Sequence, residues 1–189
     1  MQLMSTFSMS DLGTASLVLG MEIDQQPGCI EISQAHYVRS VLERFGFLQA
    51  NPAHTPGAGK PLSNKPEGAH FLDKAETKTY QEGVGSLTYL VNTTRWDISY
   101  AVMILTRGMA APTDQHMVAA KRVLRYLWGT PDLPTVHRKG DMTLQSFTDS
   151  DFAADDDTRR SLHRVLVHVG WWCNFVCCCT AKGCFAKYY

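Results

Sequence analysis

The chain lacks most of the features that would assign a function class outright. No apolar run reaches the roughly 18 residues that a bilayer-spanning helix needs, so no membrane segment is expected. The opening residues, MQLMSTFSMSDLG, hold no basic stretch followed by an apolar block; no secretory leader is read, and an intracellular protein is expected. There is no G-x-x-x-x-G-K-[ST] phosphate loop and no G-x-S-x-G elbow. GAGKP at Gly57 to Pro61 lacks the first glycine at the right distance and a helix after it. Cysteine is scarce until the tail, where Cys173, Cys177, Cys178, Cys179 and Cys184 gather near His163 and His168. Structural zinc sites pair two C-x₂₋₄-C knuckles, and only Cys173 and Cys177 make one; no zinc is assigned. Nothing points to an oxidising compartment, so free thiols are expected rather than disulfides. His36, His54 and His116 sit in surface-like contexts and suggest no catalytic partner.

What is present is an ordinary globular composition. The chain has 189 residues, 44% of them hydrophobic and 19% charged, enough to bury a core as one domain or two small ones. The clearest stretch runs from Tyr80 to Pro131 and carries three successive helical stripes. Val84, Leu87, Leu90 and Val91 form the first; Ile98, Val102, Leu105 and Met109 the second; Ala120, Val123, Leu124 and Leu127 the third. The third helix is punctuated at both ends, by Pro112 and Thr113 (the expected N-cap) and by Gly129 and Pro131. Its polar side holds Lys121, Arg122 and Arg125, the face that a helix lying beside a phosphate backbone would present. Net charge is zero, but its distribution is uneven. From Arg95 to Lys139 there are seven Lys/Arg against three Asp, a net of +4; from Asp141 to Asp157 there are six Asp and no Lys/Arg, a net of −6. Solvated faces of a neutral protein explain such a pattern as simply as a nucleic-acid track does.

Around this centre the other segments read more coarsely. Ser16 to Ile23, a Gln-Gln-Pro-Gly turn and Ile30-Glu31-Ile32 predict a β-hairpin. Ser33 is placed to cap a helix from Gln34 to Phe45, buried through Val38, Val41, Leu42 and Phe45 and stopped by Gly46. Gln49 to Thr79, with Pro52, Pro56, Pro61 and Pro66, shows no period and reads as an extended connector. Met142 to Thr148 reads as a strand running into DSDFAADDDTRRS. The fold class expected is α+β: hairpin and helix, a helical centre, then a small incomplete sheet.

GSLTYLVNTTRWDISYAV and AAKRVLRYLWGTPDL resemble the region after the polymerase palm in copia-type retrotransposon reverse transcriptases, approximately VGSLxYLxxTRPDIxYAV and AAKRxLRYLxGT. FSMSDLGTASLVLGMEI resembles the family's FxMKDLGxxxxFLGIEI, and DSDFAADDDTRRS its SDADWAGDxDxRRSTSG. The resemblance implies four segments: 1–48, the end of the palm; 49–79, a Pro/Gly-rich connector; 80–139, thumb-like or connection helices; and 140–189, a truncated, degraded ribonuclease H-like start. By comparison with reverse transcriptases, Leu19, Gly20, Met21 and Glu22 would lie in a primer grip, with Gly20 letting backbone approach backbone closely. Asp149 matches the ribonuclease H aspartate that binds metal in the family.

Departures from the family pattern limit what is expected. Trp96 replaces a proline that would pre-organise a helix start, so a looser start is expected at Asp97. Trp171 and Trp172 stand where glycines belong, Cys177 stands near an expected Trp, and the tail from Ser161 is expected to pack poorly. The only adjacent aspartates are Asp155, Asp156 and Asp157, in a polar loop, whereas the polymerase writes an aromatic-x-Asp-Asp motif that would precede Met1. Two metals need paired carboxylates. No cofactor is therefore assigned to this chain, although Mg²⁺ serves the intact family enzyme. The implied partner is a template–primer duplex, and the expected role is binding without catalysis. The alternative is a non-enzymatic nucleic-acid-binding or vestigial protein from a decayed element.

Overall fold

In a computed structural model, residues 7, 8, 10, 13–57, 62, 68, 70–140, 143–150, 162–169 and 172–180 are described, with backbone alone for 150, 162–164, 166, 168, 169 and 172–180. Strands β1 (Leu17–Val18), β2 (Met21–Gln26) and β3 (Cys29–Ser33) form an antiparallel meander with two-residue turns at Leu19-Gly20 and Pro27-Gly28. The predicted hairpin is thus present, extended by one short strand. Its fourth neighbour comes from far along the chain. Strand β4 (Thr135–Arg138) pairs antiparallel with β3, with Ile32 opposite Thr135 and Cys29 opposite Arg138, giving the order β1-β2-β3-β4.

Helix α1 (Ala35–Arg44) buries Ala35, Val38, Val41 and Leu42. Ser33 does not cap it. Its hydroxyl donates to Glu22 Oε2 (3.0 Å), and Glu22 Oε1 takes the His36 backbone N–H (3.1 Å), so the orphan donor is satisfied from β2. The helix stops at Gly46, whose φ of 74° is left-handed, with Phe47 N–H returning to Leu42 O (2.7 Å).

Helix α2 (Lys74–Thr93) begins inside the span read as connector. Asp73 accepts Glu76 N–H (2.8 Å) while the Glu76 carboxylate accepts Asp73 N–H (3.1 Å), a reciprocal cap. A 3₁₀ turn (Trp96–Ile98) leads into α3 (Ser99–Arg107), so the α-helix starts at Ser99 rather than Asp97. Helix α4 (Asp114–Gly129) has Thr113 as its N-cap, as the sequence predicts. All three stripes face one core: Val84, Leu87, Leu90, Ile98, Val102, Leu105, Ala120, Val123, Leu124 and Leu127 are buried together with Val38, Val41 and Leu42 of α1. The spans 1–48 and 80–139 therefore share both a core and a sheet.

The connector is fastened at both ends of α4. Ala53 N–H donates to Arg125 O (3.2 Å); Leu72 N–H donates to Pro112 O (3.0 Å), and Asp114 N–H to His70 O (3.1 Å). A second antiparallel sheet follows, of order β5-β6-β7: β5 (Leu144–Ser150), β6 (Leu162–Val169) and β7 (Trp172–Thr180). Its backbone ladder continues past Ser161 with one irregularity at Val167/His168. Trp171 lies outside the described residues, as do the side chains of Trp172 and Cys177, on which the poor-packing expectation rests.

His116 is buried, not superficial. It is 0% exposed, its Nδ1 accepts Thr113 N–H (3.3 Å) and lies 2.8 Å from Thr113 Oγ1, and its ring stands edge-on to Tyr80. A Cβ at Gly108 would overlap this ring, whereas one at Gly85, on the exposed side of α2, would meet nothing within 4 Å. Gly108→Ala should therefore cost about 1–3 kcal/mol by overpacking. Gly85→Ala should add about 0.5–1 kcal/mol by removing helix-interior glycine. Urea unfolding of the two variants checks both signs; equal effects would refute this packing.

Candidate nucleic-acid interface

The Leu19-Gly20 tip is made by two consecutive left-handed residues, with φ of 52° and 76°. This is the hairpin geometry that suits the twist of the flanking strands, and at leucine it costs roughly 1–2 kcal/mol. The Tyr89 hydroxyl of α2 donates to Leu19 O (2.5 Å) and holds the strained turn. Tyr89 is itself set edge-on against Tyr37 of α1, with centroids 5.0 Å apart. A Cβ on Gly20 would lie 3.9 Å from that hydroxyl, so there is room for one. Glycine is suited here by its φ, not by close backbone approach. Leu19 is 81% exposed and Leu17 is 66% exposed, leaving an apolar tip in solvent. Met21 is half-buried, and Glu22 caps α1 as described.

Lys121, Arg122 and Arg125 do lie together on the outer side of α4, but two of them are engaged. Arg122 donates from Nε to Thr55 O (3.2 Å) and from Nη2 to Thr55 Oγ1 (2.8 Å), while Arg125 Nε donates to Asn51 O (2.6 Å). Lys121 is exposed. A guanidinium carries more N–H groups than these bonds use, so the face keeps donors for an anion.

The strongest electrostatic arrangement is one that the patterns above do not single out. Arg95 is 1% exposed at the end of α2. It donates to both Asp97 oxygens (Nε to Oδ1, 3.0 Å; Nη2 to Oδ2, 2.8 Å) and to Thr130 through O and Oγ1 (2.7 Å each). Tyr126 Oη–H donates to Asp97 Oδ2 (2.9 Å), with the guanidinium 5.7 Å from its ring centroid. Burial alone would raise the Asp97 carboxyl, but hydrogen bonds from Arg95, its charge and the Tyr126 hydroxyl outweigh this and hold it below the usual range. Burial, then the Asp97 hydrogen bond and charge, raise the Tyr126 phenol. The clue in the sequence is an Arg-x-Asp pair at a helix–helix junction.

Asp149 lies exposed on β5, with Arg164 of β6 as its cross-strand partner. Among the described residues no group of three or more His, Cys, Asp or Glu could hold a metal ion. A two-Mg²⁺ centre needs several carboxylates, and among the described residues Asp149 belongs to no such group. No helix among the described residues is long and apolar enough to cross a membrane. A cleft of about 230 Å³ on the first sheet is lined by Glu22, Asp24, Glu31 and Asp132, a field that repels phosphate.

Residues 1–58 match the family model described as reverse transcriptase (RNA-dependent DNA polymerase). The chain is 38% identical over 165 residues to the retrovirus-related Pol polyprotein from transposon RE1 of Arabidopsis thaliana, covering 87% of this chain and 11% of the polyprotein. Against the Pol polyprotein from transposon TNT 1-94 of Nicotiana tabacum the identity is 38% over 164 residues, 84% of this chain and 12% of that one. An uncharacterized mitochondrial protein of A. thaliana is 38% identical over 176 residues, 93% of this chain and 70% of its own length. No solved structure matches. The chain belongs to the reverse transcriptase family of copia-type retrotransposon Pol polyproteins, and it spans about a tenth of the RE1 polyprotein.

The Arg95 node yields a prediction with a definite sign. Arg95→Met removes one partner of a buried pair and should cost about 3–5 kcal/mol. The Asp97 contribution is fully present above its unfolded value, near pH 4, and is lost as pH falls through its depressed folded value. Wild type should therefore lose stability more steeply than Asp97→Asn as pH drops below about 4, with parallel profiles above about 5. Urea titrations across that range measure it; parallel profiles throughout would contradict the pairing.

Proposed function

We propose that this chain is the part of a copia-type reverse transcriptase that follows the catalytic strands of the palm, and that it holds a template–primer duplex rather than making or cutting a bond. The observation that carries the reading is the joining of the hairpin to the helical block. Strand β4 leaves α4 and pairs with β3, and Tyr89 ties the hairpin tip to α2. A duplex gripped near Leu19, Gly20 and Met21 and steadied along Lys121, Arg122 and Arg125 would then be held by one body, with Glu22 supporting the grip from behind.

The sequence and the strand order support the rest of the reading. The chain holds no aromatic-x-Asp-Asp motif, and among the described residues Asp149, its one matched ribonuclease H aspartate, belongs to no group of three or more metal-ligating side chains. The antiparallel order β5-β6-β7, with Asp149 on its first strand, supports reading 140–189 as a ribonuclease H-like start. Contacts from α4 would go to phosphates and carry no base information.

Binding should accordingly be sequence-indifferent and salt-sensitive, with a dissociation constant on the order of 10⁻⁴ to 10⁻⁶ M. Lys121→Ala should reduce the salt slope by about one without altering stability. No magnesium-dependent nuclease or polymerase turnover is expected, and Asp149→Asn should change none. Titration of a primer–template duplex at two salt concentrations, with both activity assays alongside, decides it. Salt-insensitive binding, or a nuclease activity lost in Asp149→Asn, would overturn the proposal.

A further inference from the structure

Residues 51–55 cross the outer side of α4 and take up the two arginines that the proposed function assigns to phosphates. Three donor bonds run from Arg122 and Arg125 to Asn51 O, Thr55 O and Thr55 Oγ1, and Ala53 N–H returns one to Arg125 O. Beyond these bonds, Pro52 packs over Gly129 and Thr55 Oγ1 donates to Gly57 O (3.0 Å). Asn51, Pro52, His54 and Thr55 are exposed, Ala53 is half-buried, and none of the five belongs to the core. The far end of the connector differs: His70, Phe71 and Leu72 are bonded by backbone to Pro112, Thr113 and Asp114. One end is an anchor, and the other is held by surface hydrogen bonds of a kind that open at small cost.

We propose that residues 51–55 form a displaceable strap, which occupies Arg122 and Arg125 in the unliganded chain and gives way when a nucleic-acid phosphate backbone takes them. This rests on the reading that α4 meets phosphates. The exchange is favourable in kind. The strap offers neutral oxygens, whereas a phosphate offers charged ones that a guanidinium can take bidentately, through two parallel N–H donors. Arg122 and Arg125 stand three residues apart, and Lys121 stands four from Arg125, so all three are neighbours on one helix surface. Opening the strap would add the engaged donors of Arg122 and Arg125 to those that the face already offers beside Lys121.

The apparent affinity of such a chain is the intrinsic affinity multiplied by the fraction of molecules in which the strap is open. Replacing residues 51–55 by a Gly-Ser segment of equal length removes Thr55 Oγ1 and Pro52 and loosens the crossing. That variant should bind a primer–template duplex about three- to ten-fold tighter. In the unaltered chain, duplex binding should accelerate amide exchange at Ala53, whose N–H loses Arg125 O, while Leu72 stays protected. A variant that binds while wild type does not would support the strap equally. If wild type binds but Ala53 stays as protected and the variant binds no tighter, the strap is refuted and the phosphate reading survives. If neither binds, both fall.

Discussion

A guanidinium without water must find oxygen on every side, and the placement of Arg95 shows how this chain supplies it. Asp97, two residues on, gives the bidentate carboxylate; Thr130, at the other end of α4, gives a carbonyl and a hydroxyl. The carbonyl belongs to a helix C-terminus, where the macrodipole already favours a cation. Three elements are thereby brought to one point: the end of α2, the 3₁₀ turn at Trp96–Ile98 and the end of α4. The chain leaving that point is placed next. Thr135 Oγ1 donates to Thr94 O (3.0 Å), and β4 continues from there onto β3. The union of hairpin and helical block thus rests on a charge that cannot be left unpaired.

The helical block was legible because its signals are local. Apolar stripes at 3.6-residue spacing, Thr113 before α4 and Gly129 at its end are all visible within one turn, and the core uses the residues so named. The features that escaped are those settled by distant partners. Ser33 reads as a cap from its own neighbourhood, yet Glu22 across the hairpin takes the His36 N–H instead. His116 reads as superficial, but its ring is enclosed by Gly108, Tyr80 and Thr113. Arg95 reads as one more positive charge until Thr130, distant in sequence, is beside it. The start of α2 is a different case. The Asp73–Glu76 cap is a local signal, hidden within a proline-rich stretch whose lack of period suggested no structure.

The basic face shows how a correct pattern can carry an incomplete inference. Lys121, Arg122 and Arg125 share one side of α4, as their spacing requires, but helical periodicity cannot tell whether solvent, ligand or the chain itself meets that side. Here the connector does, through backbone oxygens that any sequence possesses. A polar helix face opposite a proline-rich crossing is therefore a candidate for internal contact before it is a candidate for external binding.

That the hairpin and the helical block are one cooperative body is the claim on which the functional reading depends. Native-state amide exchange in rising urea tests it most directly. Amides of β2–β3 such as Ile23 and Ile32, and core amides of α1, α2 and α4 such as Val41, Leu87 and Leu124, should converge on one opening free energy. A hairpin that opens at far lower urea while the helices remain protected would contradict the account.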